Sequence, residues 1–182
     1  GRFDLQALAP AVAQAHARFF EVARHCHNVK EVADRGRTVR LGDPTEAALL
    51  ATAERAGFGG AALERLDELP FDADRKRMST LHRSAEDRIL FCKGALEAVL
   101  PLCARVQPGN DAAVPLDDVS RERFLAAERE IAARGERVLG LAWRMVPEGL
   151  ERERWETDLI FTGLVGLEDP PRPEVPAAAR TC

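Results

Sequence analysis

Three lysines stand against 23 arginines in the 182 residues, and two of the three, Lys76 and Lys93, lie in short runs whose neighbours can do chemistry. Lysine is a compact charge on a thin stem, whereas arginine is a planar fork. A chain that uses arginine almost everywhere else therefore keeps a thin cation at two places, where it fits beside a ring or a single phosphate oxygen. Lys93 is followed by Gly94 and Ala95. Two such small side chains let a flat ring approach the backbone, with the ammonium at the pocket floor. Phe71 offers an aromatic face, worth about 1–3 kcal/mol per stacked base, and Met78 a soft, adaptable flank. Glu46 can accept hydrogen bonds, and the Arg137 fork can hold a phosphate or a ribose. Each also has a plain structural reading. Phe71 can be a core strand residue and Lys93 a solvated strand end. Lys76, within Arg75-Lys76-Arg77, can be a charge that discourages edge pairing. Glu46 can serve a helix dipole, and Arg137 can be one more surface arginine.

Several site types are excluded. No lysine follows a glycine, so the phosphate loop GxxxxGK[ST] is absent, and no GxGxxG occurs. A nucleotide site here must grip the base rather than cradle phosphates. Cys26, Cys92, Cys103 and Cys182 form no CxxC pair and no zinc spacing. His25-Cys26-His27 suggests no metal site either, because adjacent helical residues point in different directions. The net charge of -4 argues against a nucleic-acid surface. With 46% apolar and 31% charged residues, the composition is that of a folded globular domain, and no apolar run approaches the ~20 residues of a membrane span.

The elements that must carry these residues follow from periodicity. Pro10 to Asn28 reads as one helix, with apolar residues recurring at three and four. Val29 to Leu41 reads as a polar connector. A second helix opens at Pro44, with Asp43 as its cap, and ends at Gly57. Leu63 to Phe71, Arg77 to Arg83 and Arg88 to Lys93 read as three strands of an antiparallel meander. Ala95 to Cys103 reads as a helix, Val106 to Pro115 as loop, and Asp117 to Arg134 as a long helix stopped by Gly135. Arg137 to Met145 and Asp158 to Leu167 complete the set as strands. The expected class is α+β, an antiparallel sheet flanked by helices.

Six blocks in this order carry a resemblance: Cys26-His27-Asn28, Gly42 to Leu49 (GDPTEAAL), Pro70 to Ser79 (PFDADRKRMS), Phe91 to Leu100 (FCKGALEAVL), Gly135 to Arg144 (GERVLGLAWR) and Gly163 to Val175 (GLVGLEDPPRPEV). Together, from about Phe19 to Arg172, they resemble the nucleotide-binding domain of P-type cation-transporting ATPases, in the group that pumps light cations rather than heavy metals. The resemblance implies an ATP site in which Phe71 stacks on adenine, Glu46 accepts from the adenine amino group, Lys93, Gly94 and Ala95 form the floor, and Lys76 lies near the phosphates. Met78, Arg137 and Leu139 would complete it. Removing the side chain of Phe71 or of Lys93 is expected to weaken ATP binding with the fold intact.

The resemblance also implies a division of the chain: residues 1–168 as the nucleotide-binding domain, and 169–182 as a hinge (Asp169, Pro170, Pro171, Arg172) with the start of a phosphorylation domain. The family's DKTGT, GDGxND and TGE motifs are absent from these residues. Phosphoryl transfer requires the acceptor and the metal at the γ-phosphate. The expectation is therefore a cytoplasmic piece of an integral membrane pump that binds ATP without hydrolysing it. Mg2+ would enter only in the intact pump, and the partners would be its phosphorylation and actuator domains. The rival readings are a regulatory or interaction domain on the same scaffold without nucleotide binding, and a self-contained hydrolase using carboxylates such as Glu46 and Asp72.

Overall fold

The computed structural model describes residues 4, 9–34, 37–85 and 87–168. The hinge residues Asp169 to Arg172 lie outside them. Seven strands form one sheet: β3 (Arg65–Asp72), β4 (Arg77–Ser84), β5 (Asp87–Gly94), β6 (Cys103–Val106), β7 (Val114–Pro115), β8 (Arg137–Val146) and β9 (Leu159–Leu167), in the spatial order β3-β4-β5-β8-β9-β6-β7. All pairs are antiparallel except β6 with β9, which run parallel. The meander and the α+β class are as the order of elements indicated.

Strand alternation divides the side chains between two cores. Leu90 and Cys92 of β5 join Leu81, Ala142 and Phe161 on one face, with Leu96, Val99 and Leu100 of the segment after β5 and Trp155 packed on them. Phe124, from the helix α5 (Asp118–Ala132), adds an edge-on contact with Phe161 at 4.7 Å. On the opposite face, Ile89 and Phe91 join Met78, Leu141 and Val165 beneath α2 (Ala17–His25) and α3 (Pro44–Ala53), which supply Phe20, Val22, Ala23, Leu49 and Ala53. Met78 and Leu139 lie on this second face.

Four expectations are corrected. The first helix is not continuous: α1 (Pro10–Ala15) and α2 are separated at His16, whose φ and ψ are -124° and 36°. The Asn110 side chain accepts from the Ala17 N–H at 3.2 Å and donates to the Gln14 carbonyl, satisfying backbone groups freed by the break. The segment after α2 is not a plain connector but a hairpin of β1 (Lys30–Asp34) and β2 (Arg37–Leu41), with Glu31 and Arg40 paired across it at 3.0 Å. The helix read as Ala95 to Cys103 is only α4 (Leu96–Val99) and a 3-10 turn at Leu100–Leu102, because Pro101 has no N–H to continue it; β6 starts at Cys103. The stretch read as loop contains the short edge strand β7.

The start of α3 matches its sequence signal. Asp43 accepts from the Thr45 N–H at 2.8 Å and the Glu46 N–H at 3.2 Å, with Pro44 in the first turn. The helix passes into a π turn at Glu54–Phe58, where Gly57 takes φ +92°.

Candidate functional site

Register places one candidate residue after another across the sheet. Met78 pairs with Lys93, and Lys93 with Leu141. Between the pairs Leu69–Ser79 and Asp72–Arg77, β3 carries two residues, Pro70 and Phe71, against Met78 alone. This bulge bends the edge strand, and Phe71 is 64% exposed, the most exposed of the large apolar side chains among the described residues. Neighbouring strands lie about 4.8 Å apart, so Phe71 and Lys93 stand roughly 10 Å from each other. Along β8, Arg137, Leu139 and Leu141 alternate onto this same face. Leu139 packs at the margin of the core, and Met78 is fully enclosed in it, 2% exposed.

Lys93 is 6% exposed, unlike a solvated strand end. Its Nζ donates to Glu46 Oε1 at 2.9 Å and to the Cys26 carbonyl. Glu46 Oε2 in turn accepts the Asn28 N–H at 2.9 Å. Both partners of the pair are largely desolvated, so their attraction is little screened and each depends on the other. An ammonium has three donors and a carboxylate about four acceptor positions. The partners described use two on each side, so the pair retains capacity toward a further polar ligand. Cys26, whose carbonyl takes part, is itself enclosed, and burial pushes its thiol pKa upward.

Gly94 and Lys76 explain why the two lysine-bearing motifs lie together. Lys76 adopts a left-handed backbone, φ 50°, at the end of the β3–β4 turn. Its carbonyl accepts the Ala95 N–H at 3.0 Å. A Cβ at position 94 would lie 2.4 Å from that carbonyl oxygen, so the close approach requires glycine. The Lys76 ammonium is exposed and pairs with Glu97 at 3.1 Å. Arg137 reaches toward α3, donating to Thr45 Oγ1 at 3.3 Å, one residue from Glu46.

The structure thus gathers Glu46, Met78, Lys93, Leu139 and Arg137 on one sheet face, leaves Phe71 exposed on the edge strand two strands from Lys93, and brings Lys76, Gly94 and Ala95 to the rim. Sequence reasoning missed two residues that organise the region. Arg65, on β3, binds the chain that follows α2. Glu156, in the β8–β9 connection and 7% exposed, accepts from Arg75 at 3.0 Å, Arg77 at 2.8 Å and Ser79 Oγ at 2.7 Å. The only sequence signal for Glu156 was the Arg75-Lys76-Arg77 run, whose charges need a counterion once packed. No group of three or more potential metal ligands occurs among the described residues. His25 instead stacks on Phe91 at 5.5 Å, and His27 Nδ1 accepts the Val29 N–H at 3.1 Å.

A mostly antiparallel sheet with helices on both faces defines an α+β domain. Residues 17–174 match the family model of the P-type ATPase cytoplasmic domain N, and the chain belongs to that family. It is 39% identical over 149 residues to the cation-transporting ATPase pma1 of Synechocystis sp., covering 78% of this chain and 16% of that protein. It is 34% identical over 181 residues to the probable cation-transporting ATPase F of Mycobacterium tuberculosis, covering 95% and 20%. Calcium-transporting ATPase 1 of Bacillus cereus is 37% identical over 148 residues, covering 79% and 17%. The chain therefore spans at most a fifth of the length of these relatives. It is a cytoplasmic domain of a P-type cation ATPase. No helix among the described residues is long and apolar enough to cross a membrane.

Proposed function

We propose that this domain binds ATP by its adenine and presents the γ-phosphate to a phosphorylation domain of the same pump. The observation that carries this reading is the exposed Phe71 on the edge strand, two strands from the buried Glu46–Lys93 pair. An exposed aromatic ring stands roughly two strands from a buried lysine–glutamate pair with unused hydrogen-bonding capacity. A purine stacked on Phe71 would direct its amino group to Glu46 and its ring toward Lys93. Lys76 and Arg137, at the rim, would face the phosphates or ribose. The remaining steps, magnesium-dependent transfer to an aspartate and coupling to cation movement with the actuator domain, belong to the intact pump, with Asp169 to Arg172 as the hinge. The 182-residue chain binds ATP and does not hydrolyse it.

Stacking and a few polar contacts must offset lost translational freedom. A net ~3–5 kcal/mol corresponds to a dissociation constant on the order of 0.1 to several mM. Calorimetric or NMR titration with ATP tests this, with little dependence on magnesium expected. No heat and no shifts at concentrations well above that range would overturn it. One observation favours the rival reading of a regulatory scaffold: Glu46 and Lys93 form a buried ion pair at 2.9 Å, which can serve the core alone. The same titration separates the two readings.

A further inference from the structure

The carbonyl and amide that hold Lys93 and Glu46 belong to Cys26 and Asn28, in the three residues that follow α2. That segment has no regular hydrogen-bond ladder of its own. Besides its bonds to Lys93 and Glu46 and those of the Cys26 thiol to the Met78 and Phe91 carbonyls, it is held by a side chain from the edge strand. Arg65 donates through one guanidinium nitrogen to Asn28 Oδ1 at 2.7 Å and Glu68 Oε2 at 3.1 Å. Through the other it donates to the carbonyls of His25, at 3.3 Å, and His27. The fork thus spans the C-terminus of α2, where unpaired carbonyls concentrate negative charge. Its planar, multi-donor geometry is one that lysine cannot reproduce. Arg65 and Phe71 are on the same strand, and Arg65 pairs with His82 of β4.

We propose that Arg65 is a positioning residue for the base pocket. It fastens the segment carrying the Cys26 carbonyl and the Asn28 amide to the strand that carries Phe71. The stacking side of the pocket and its lysine–glutamate side are thereby held at a set separation. Arg65 itself faces an open cleft of ≈ 440 Å³ shared with His27, Asn28, Val29, Lys30 and Glu68, not the Phe71 side. The inference rests on the ATP-binding reading for its consequence, but not for its geometry.

The test combines amide hydrogen exchange with ATP titration for the wild-type chain, Arg65→Ala and Arg65→Lys. In both variants the Asn28 amide, which donates to Glu46, exchanges at least tenfold faster, while the β5 amides keep their protection. The ATP dissociation constant rises three- to tenfold, and lysine does not rescue it. Adding Arg65→Ala to Glu46→Ala weakens binding by less than the sum of the two single effects, because part of the clamp acts through the Asn28 amide and Glu46. A merely structural arginine would lower stability but leave Asn28 exchange and low-temperature affinity unchanged, and its effect would add to that of Glu46→Ala. Asn28 exchange within twofold of wild type overturns the proposal. So does unchanged affinity in a variant of a wild type that binds. If the wild type binds no ATP, the functional reading fails and the exchange rates alone decide the clamp. If Arg65→Ala does not fold, Arg65→Gln, which keeps two donors, is measured against the same thresholds.

Discussion

The Gly94 α-carbon lies so close to Lys76 that a Cβ would stand 2.4 Å from the Lys76 carbonyl oxygen and 2.5 Å from Arg77 Cβ. The neighbouring backbone is fixed by the Lys76–Ala95 hydrogen bond of 3.0 Å, so it cannot give way cheaply. Gly94→Ala is expected to cost about 1–3 kcal/mol, the range for overpacking. Its melting temperature should fall by roughly 2–4 °C per kcal/mol. An unchanged urea midpoint would show that the approach is relaxed in solution.

Phe71 and Lys93 differ in what removal does. Phe71 is 64% exposed, so Phe71→Ala should leave stability within about 0.5 kcal/mol. It should weaken ATP binding by the ~1–3 kcal/mol of a lost stack. Calorimetry showing equal affinity would remove Phe71 from the site.

Lys93 is 6% exposed and neutralises Glu46. Breaking a buried pair by deleting one partner costs about 3–5 kcal/mol. This burial revises the expectation that Lys93→Ala leaves the fold intact: the variant should lose stability as well as affinity. Adding Glu46→Gln to it, which removes the stranded charge, should recover part of the loss in chemical denaturation. No recovery would mean that the charge pairing is not what the core requires.

Glu156 holds Arg75, Arg77 and Ser79 from a buried position. Glu156→Ala should destabilise by several kcal/mol, since it leaves two arginines and a buried hydroxyl without their acceptor. Glu156→Gln keeps the shape and should cost less. Equal unfolding midpoints for the two variants would contradict the charge-based account.

Stability should also fall with acid. Burial lowers the pKa of His25, His27 and His82 to about 4, and His82 Nε2 has no hydrogen-bond partner. Nearby Arg65 lowers all three further, and Arg24 lowers those of His25 and His27. Below the unfolded value of about 6.5 the unfolded chain takes up protons that the native domain refuses. Stability is therefore fully present above pH 6.5 and declines until the native groups protonate near pH 4. Denaturant midpoints should drop from pH 6.5 downward, before most carboxylates titrate. His82→Gln should flatten that slope; a flat wild-type profile between pH 6.5 and 5 would count against the buried neutral imidazoles.

The sequence by itself determined the family, the sheet-and-helix class, the cap at Asp43 and the identity of the candidate residues. These rest on local signals, such as the short apolar runs of β5, β8 and β9 between polar turns, proline in the first turn of α3, and motif order. Only the tertiary structure decided what those residues touch. The break at His16 depends on Asn110, more than 90 residues away, and the β1–β2 hairpin has too few apolar residues to announce itself. Lys93 by itself read as a solvated strand end, because its burial is set by Glu46 and Cys26 from other elements. Arg65 and Glu156 stood among many like residues, and no periodicity marks a side chain whose importance comes from carbonyls and guanidinium groups that folding brings to it.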